Sequence, residues 1–167
     1  ERRRLFVEQL NEIIYGIHKK LSGDREELSI QYEPDVEIEN FEKNLRYSQD
    51  RDIKAKMTSV GPHRDDFSVL IGDVDIRKYG SQGQQRTVAL SMKLAEIELI
   101  KEEKNDYPVL LLDDVFSELD MERQRYLVEY LKRMQVFITS AEISEKMDDF
   151  FPESKKIIIN KGTISCY

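Results

Sequence analysis

Two stretches of this chain carry residue types that could do chemistry: "YGSQGQQR" at Tyr79–Arg86 and "VLLLDDVFSELD" at Val109–Asp120. In the second, a short apolar run leads straight into Asp113 and Asp114. Ligands of α/β sheets gather at the carboxyl ends of strands. Neighbouring side chains on an extended strand face opposite sides, so the two carboxylates can have separate duties. One can hold a magnesium ion, directly or through water, because Mg²⁺ takes a few oxygens and keeps waters. The other can orient or deprotonate an attacking water. The plain alternative is a strand end with two solvated aspartates.

In the first stretch, a serine hydroxyl, a glycine that lets the backbone approach closely, and the free N–H groups of a helix start would make an anion site. The plain alternative is a helix cap, with Ser81 or Gln82 in the loop and Gly83 for flexibility. "GPHRDDF" at Gly61–Phe67 reads as a rigid turn that positions Arg64. His63, Asp65 and Asp66 in that turn fit surface groups better than a metal cluster. His18 falls in the first helix and carries no assigned chemistry.

The elements that must position these residues follow from periodicity. Phe6, Leu10, Ile13, Ile17 and Leu21 recur at steps of three and four, one face of an amphipathic helix over 5–21. "ELSIQY" reads as a strand, and a polar helical segment is expected over 40–57. Gly72-Asp73 sits between short apolar runs as a hairpin turn. A broad apolar face predicts a helix over 84–103 packed on a sheet. "YPVLLLDD", with its unbroken apolar run, reads as a strand covered on both faces. A helix over 120–134, the strand "VFITS", a short helix at "SEKMDDFF" and a hairpin around Lys161-Gly162 complete the pattern. The strand–helix–strand alternation of the second half predicts an α/β architecture.

The bulk numbers set limits. A chain of 167 residues suits one compact core. The net charge of −7 argues against a dominant nucleic-acid surface, although Arg2–Arg4, Lys54 with Lys56, and Arg77 with Lys78 form small basic groups. No apolar run approaches the roughly 18 residues of a membrane span. Cys166 is the only cysteine, which excludes an intrachain disulfide framework and fits a reducing cytoplasm. The chain opens on Glu1 without a methionine and reads as cut from something longer.

The order of these parts is more specific than any one of them. A Ser-x-Gly-Gln turn, a helix, a strand ending in two carboxylates and then "SELD" resembles the second half of an ABC-type ATPase head. Within that group it resembles the RecF family, allied to SMC heads. "GPHRDDF", "YGSQGQQR" and "LLLDDVFSELD" match in order and spacing over Gly61 to Asp120, and "VFITS" extends the match to Ser140.

The resemblance implies the C-terminal portion of such a head: an α/β mixed sheet flanked by helices, with an N-terminal helical segment. Residues 1–60 would be a remnant joining the head, and 61–167 the signature, Walker B and D-loop part. Asp113 would be the Walker B aspartate near Mg²⁺, through water, and Asp114 the catalytic carboxylate. Ser81, Gln82, Gly83 and Gln84 would contact the γ-phosphate of ATP held by the opposite subunit. Ser117 and Asp120 would lie in the D-loop at the dimer interface, and Thr139 at the γ-phosphate switch position. Three departures from the general ABC pattern accompany this: Asp114 stands for the usual glutamate, Gln82 for the first signature glycine, and Thr139 for the switch histidine.

The largest departure is an absence. A Walker A loop needs G-x-x-x-x-G-K-[ST] to cradle phosphates, and none of the seven glycines is followed by lysine. ATP and Mg²⁺ would therefore bind only with an upstream half, and the chain alone would not be an enzyme although its parent would be a weak ATPase. The implied partners are a second copy of the parent, DNA at single-strand/double-strand junctions, and RecR and RecO; no membrane is implied. The rival reading is a protein- or DNA-interaction module with no nucleotide dependence.

Overall fold

The computed structural model describes residues 1–141 and 149–166. Two compact units divide it, Glu1–Asp106 and Tyr107–Tyr167. The first holds α1 (Arg2–Leu21), β1 (Leu28–Glu33), α2 (Ile38–Ala55), β2 (Asp66–Ile71), β3 (Val74–Asp75), the single turn α3 (Ile76–Tyr79) and α4 (Gln82–Lys104). The second holds β4 (Leu110–Asp113), α5 (Met121–Leu131), β5 (Val136–Thr139), β6 (Ile157–Asn160) and β7 (Thr163–Cys166). Among the described residues, no helix is long and apolar enough to cross a membrane.

In the first unit β1, β2 and β3 form an antiparallel sheet, with Leu28 opposite Ile71 and Glu33 opposite Asp66. Gly72, at φ 58°, makes the turn between β2 and β3, where a glycine carries no Cβ penalty. This pairing ties residues 28–33 to 66–71, across the expected join at residue 60. Helix α1 packs on both β1 and α4. A helix held between two neighbours buries a wide face: the stripe runs through Leu10, Ile14, Ile17, His18 and Leu21, while Phe6 stays 52% exposed. Asn11 closes the open edge of β1, donating from Nδ2 to the Ile30 carbonyl and accepting from the Ile30 N–H, each at 2.7 Å. An edge strand is thereby satisfied by a side chain that mimics a backbone amide.

The second unit contains the parallel pair β4–β5, in register from Leu110 opposite Val136 to Asp113 opposite Thr139. The β6–β7 hairpin turns at Lys161-Gly162, both at positive φ, as the sequence predicts. The expected short helix at 144–151 lies largely outside the described residues. The α/β class holds, with the strands shared among three small sheets. Within this chain, alternation sends Leu111 and Phe137 to the same side of the two-stranded sheet, where they are 74% and 52% exposed, so the second covered face expected for Val109–Leu112 is not formed by these residues alone.

Candidate functional site

The "YGSQGQQR" turn is built by caps. Ser81 is extended, at φ −62° and ψ 157°, and its Oγ accepts the Gln84 N–H at 3.2 Å. The Gln84 Oε1 reciprocates by accepting the Ser81 N–H at 3.0 Å, completing a capping box. Gly80 is fixed by contact: a Cβ there would lie 2.6 Å from the Ile76 carbonyl oxygen and from its Cγ2. Gly83 is the opposite case, since an added Cβ meets nothing closer than the Ser81 Oγ at 4.0 Å. Ser81, Gln82 and Gly83 are exposed together at the start of α4. The Ser81 hydroxyl hydrogen is left to donate outward, alongside the first N–H groups of the helix.

Gln84 is engaged at both ends of its amide, because its Nε2 donates to the Glu26 Oε1 at 2.9 Å. The other oxygen of Glu26 lies 3.1 Å from the Nε2 of His18, which is fully buried. The His18 Nδ1 is 2.9 Å from the Ser91 Oγ. Ser91 donates its hydroxyl to the Thr87 carbonyl at 2.8 Å, so it accepts from Nδ1. Thr87 in turn donates to the Gly83 carbonyl at 2.7 Å. His18, a helical residue without assigned chemistry in the sequence, lies in a chain of bonds that starts and ends on the first turns of α4. Nothing in its helical spacing signals this, since Glu26 meets Gln84 across 58 residues.

The "GPHR" turn is a 3₁₀ turn, Pro62–Arg64, entered by Gly61 at φ 135° and ψ −178°, a region essentially reserved for glycine. It is pinned from below by Asp65, whose side chain is 7% exposed. The Asp65 carboxylate accepts from Arg3 Nη1 at 2.8 Å, from the Asp35 N–H at 3.1 Å, and from the Tyr32 hydroxyl. Burial pushes this carboxyl up, but the bonds from Tyr32, Asp35 and Arg3 outweigh it and hold it below the usual carboxylate range. The same contact pushes the Tyr32 hydroxyl up. Asp66 pairs with Arg77 at 2.9 Å and His63 Nε2 meets the Thr58 carbonyl at 2.9 Å, so the three groups of this turn face separate partners. Arg64 stands exposed at the tip, its Nη2 3.9 Å from the Met57 sulfur.

Asp65→Ala is expected to destabilise the chain by about 1–3 kcal/mol at neutral pH, since three donors lose a buried acceptor. A carboxyl held low in the folded state contributes stability above the ordinary carboxylate range and loses it as pH falls through its folded value. Urea melts of variant and parent should therefore differ at pH 7 and converge in acid. Equal midpoints at pH 7 would show that the clamp contributes nothing.

In the second unit, Thr139 ties the two aspartates together. Its hydroxyl donates to Asp113 Oδ1, and its oxygens receive the Asp114 N–H at 3.2 Å (carbonyl) and 3.3 Å (Oγ1). Asp113 and Asp114 are both exposed at the carboxyl end of β4. Asp114 has left the strand and sits at φ 51° and ψ 24°. That left-handed region is one that aspartate and asparagine visit more readily than most residues.

The segment beyond is held by its own carbonyls. Ser117 donates to the Asp114 carbonyl at 2.8 Å, and Gln124 donates to those of Phe116 and Leu119 at 2.7 and 2.9 Å. Phe116 is buried with its ring edge-on to Phe151, centroids 6.0 Å apart. Asp120 caps α5, accepting the Arg123 N–H at 3.0 Å and pairing with its guanidinium at 2.8 Å. Nothing in the sequence singles out Gln124, because a glutamine near the start of a helix has no distinctive pattern. Among the described residues, no cluster of three metal-ligating side chains exists. Asp113 keeps Oδ2 outside the Thr139 contact, which suits an ion that draws most of its shell from water and phosphate.

Comparison with known proteins supports a single kinship. The chain is 49% identical over 162 residues to the DNA replication and repair protein RecF of Lachnoclostridium phytofermentans, covering 97% of this chain and 45% of that protein. It is 50% identical over 164 residues to the RecF of Agathobacter rectalis, covering 98% and 45%. A solved structure of the recombination mediator protein RecF with ATPrS, of the RecFOR pathway, superposes with a TM-score of 0.81 at 36% identity, covering 98% of this chain and 45% of that one. An SMC ATPase, from work on ATP-driven dimerisation and DNA-stimulated activation, shares the fold at a TM-score of 0.56 and 15% identity, covering 97% of this chain and 84% of that one. No family model matches the chain. The chain thus spans about half the length of the curated relatives it matches.

Proposed function

The chain matches the C-terminal part of RecF, and from that premise we propose that it supplies the signature turn, Walker B strand end and D-loop to an ATP-closed dimer of a DNA-repair protein. The observation that carries this reading is Gly83. It opens the exposed first turn of α4 beside Ser81, and outside its own helix backbone and chain neighbours a Cβ there would meet, among the described residues, only the Ser81 Oγ at 4.0 Å, which leaves room for close approach from outside.

In the proposed assembly a Walker A loop elsewhere in the whole protein holds ATP and Mg²⁺. Ser81, Gln82, Gly83 and Gln84 of one subunit meet the γ-phosphate held by the other, the Ser81 hydroxyl and helix N–H groups acting as preorganised donors. Gln84 commits both its side-chain oxygen and its backbone N–H to the capping box with Ser81, so it would join such a contact only when the box opens. When bound, Mg²⁺ would supply neutralisation of phosphate charge; Asp113, with Oδ2 outside the Thr139 contact, would help hold it through water, and Asp114 would accept a proton from the attacking water. Thr139 keeps the two carboxylates apart in duty by holding Asp113 and orienting the Asp114 backbone. Asp120 and Ser117 present the D-loop to the partner, and Arg64 reaches nucleotide or interface from a turn too clamped to wander.

The motif division, with all three motifs in 61–167 and a joining segment in 1–60, is thus one of function and does not follow the packing units. Hydrolysis would reopen the dimer. By kinship with RecF, the switch would govern binding at single-strand/double-strand DNA junctions with RecR and RecO in the cytoplasm.

The test is ATP turnover by the chain alone and after mixing with a separately produced upstream half of the whole protein. No turnover alone and turnover on mixing is expected. Halves that associate and stay inactive would favour a nucleotide-independent interaction module.

A further inference from the structure

We propose that Glu26 and His18, in and before the α1–β1 loop, are positioning residues that set the geometry of the signature turn. The inference rests on the reading of Ser81–Gln84 as the trans contact of an ATP-closed dimer.

The path is continuous. The Ser81 N–H is held by Gln84 Oε1 at 3.0 Å, Gln84 Nε2 is held by Glu26 Oε1 at 2.9 Å, and Glu26 Oε2 faces His18 Nε2 at 3.1 Å. His18 then returns to α4 through Ser91 at 2.9 Å, and Ser91 and Thr87 carry the bonds back to the Gly83 carbonyl at 2.8 and 2.7 Å. A glutamine amide on a helix's first turn is ordinarily loose, because water serves it as well as any partner. Here the amide cannot rotate without breaking either the cap to Ser81 or the bond to Glu26.

Glu26 is itself placed by local bonds. Gly23 and Asp24 turn the chain at φ 65° and 58°, and the Glu26 N–H donates to Ser22 Oγ at 3.3 Å. His18 is fully buried and also bonded to Ser91 of α4, so the carboxylate is braced against a side chain held in place. The loop therefore reads the position of α1 and transmits it to the one turn that must be in register with the partner's nucleotide. A half-satisfied chain of this kind is worse than none, which makes each member matter more than its own bond.

The chemistry predicts which substitutions do harm. Glu26→Gln keeps every bond: its oxygen still accepts from Gln84, and its amide donates to a neutral His18 whose Nδ1–H serves Ser91. Glu26→Ala and Glu26→Asp release Gln84, the second while retaining a carboxylate.

The measurement uses the whole RecF-type protein that carries this chain. ATP binding by the monomer is titrated separately from ATP-dependent dimerisation by sedimentation velocity, with amide exchange followed over residues 79–86. Glu26→Ala and Glu26→Asp are expected to bind ATP as the parent does. They should need about tenfold more ATP for half-dimerisation and exchange the Ser81 and Gln84 amides faster. Glu26→Gln should restore both readouts. Parent-like dimerisation and exchange in either releasing variant, or failure of Glu26→Gln to rescue, overturns the inference. If Ser81→Arg dimerises normally, the underlying reading and this inference fall together; if Ser81→Arg fails and the Glu26 variants do not, only this inference falls. Should Glu26→Ala not fold, Glu26→Asp decides alone.

Discussion

Ser81→Arg in the whole protein is expected to abolish ATP-dependent dimerisation while leaving ATP binding intact. Ser81 is exposed at the N-terminus of α4, and among the described residues its Oγ serves as the acceptor of the Gln84 N–H. Losing that cap costs about 0.5–2 kcal/mol locally. Helix α4 runs on to Lys104 and is seated on α1, so the fold survives the loss. The effect at a closed interface is far larger. A hydroxyl aimed at a phosphate in a water-excluded contact is worth several kcal/mol, and an arginine fills the space that close approach requires. Sedimentation with and without ATP, beside a direct ATP-binding titration, separates the two. A variant that dimerises with ATP as the parent does would remove Ser81 from the interface.

Asp114→Asn should lower ATP turnover by about 10²–10⁴-fold if the carboxylate is the general base, and the ATP-bound dimer should persist. The backbone makes this a clean exchange. Asp114 occupies the left-handed region at φ 51°, where asparagine is at home. Its N–H bonds to Thr139 and its carbonyl bond from Ser117 do not involve the side chain. The substitution therefore removes a charge and little else. Unchanged turnover would assign the water to another group. Full loss of dimerisation would instead point to Asp114 as a structural part of the interface.

Much of this was legible in the chain itself. "S-x-x-Q" before a helical run is a capping box as written, and Ser81 and Gln84 form it. The glycine turns at Gly72 and Lys161-Gly162 follow from the need for positive φ. The carboxylates at the end of β4 stand where the apolar run stops. What sequence hid was long-range or face-specific. An apolar run does not say what covers each of its faces, and in this chain by itself Leu111 and Phe137 stay exposed. His18 read as one more helical residue because its partners, Glu26 and Ser91, are set by how α1 meets α4. Asp65 was invisible as a clamp because Arg3 and Tyr32 approach it from 62 and 33 residues away.

The empty space around Gly83 also makes it a place to put a reporter. Beyond its chain neighbours and its own helix backbone, a Cβ added there meets, among the described residues, only the Ser81 Oγ at 4.0 Å, and a residue other than glycine favours the helix by up to about 1 kcal/mol. Cys166 is the only native thiol, so Gly83→Cys in a Cys166→Ser background leaves this chain one sulfhydryl, at the mouth of the turn. In solvent that thiol should react freely with a maleimide dye. The added sulfur also occupies the space that the trans contact requires, so with ATP the variant should stay open and its thiol should label as fast as without ATP; protection by ATP would show that closure does not need that space.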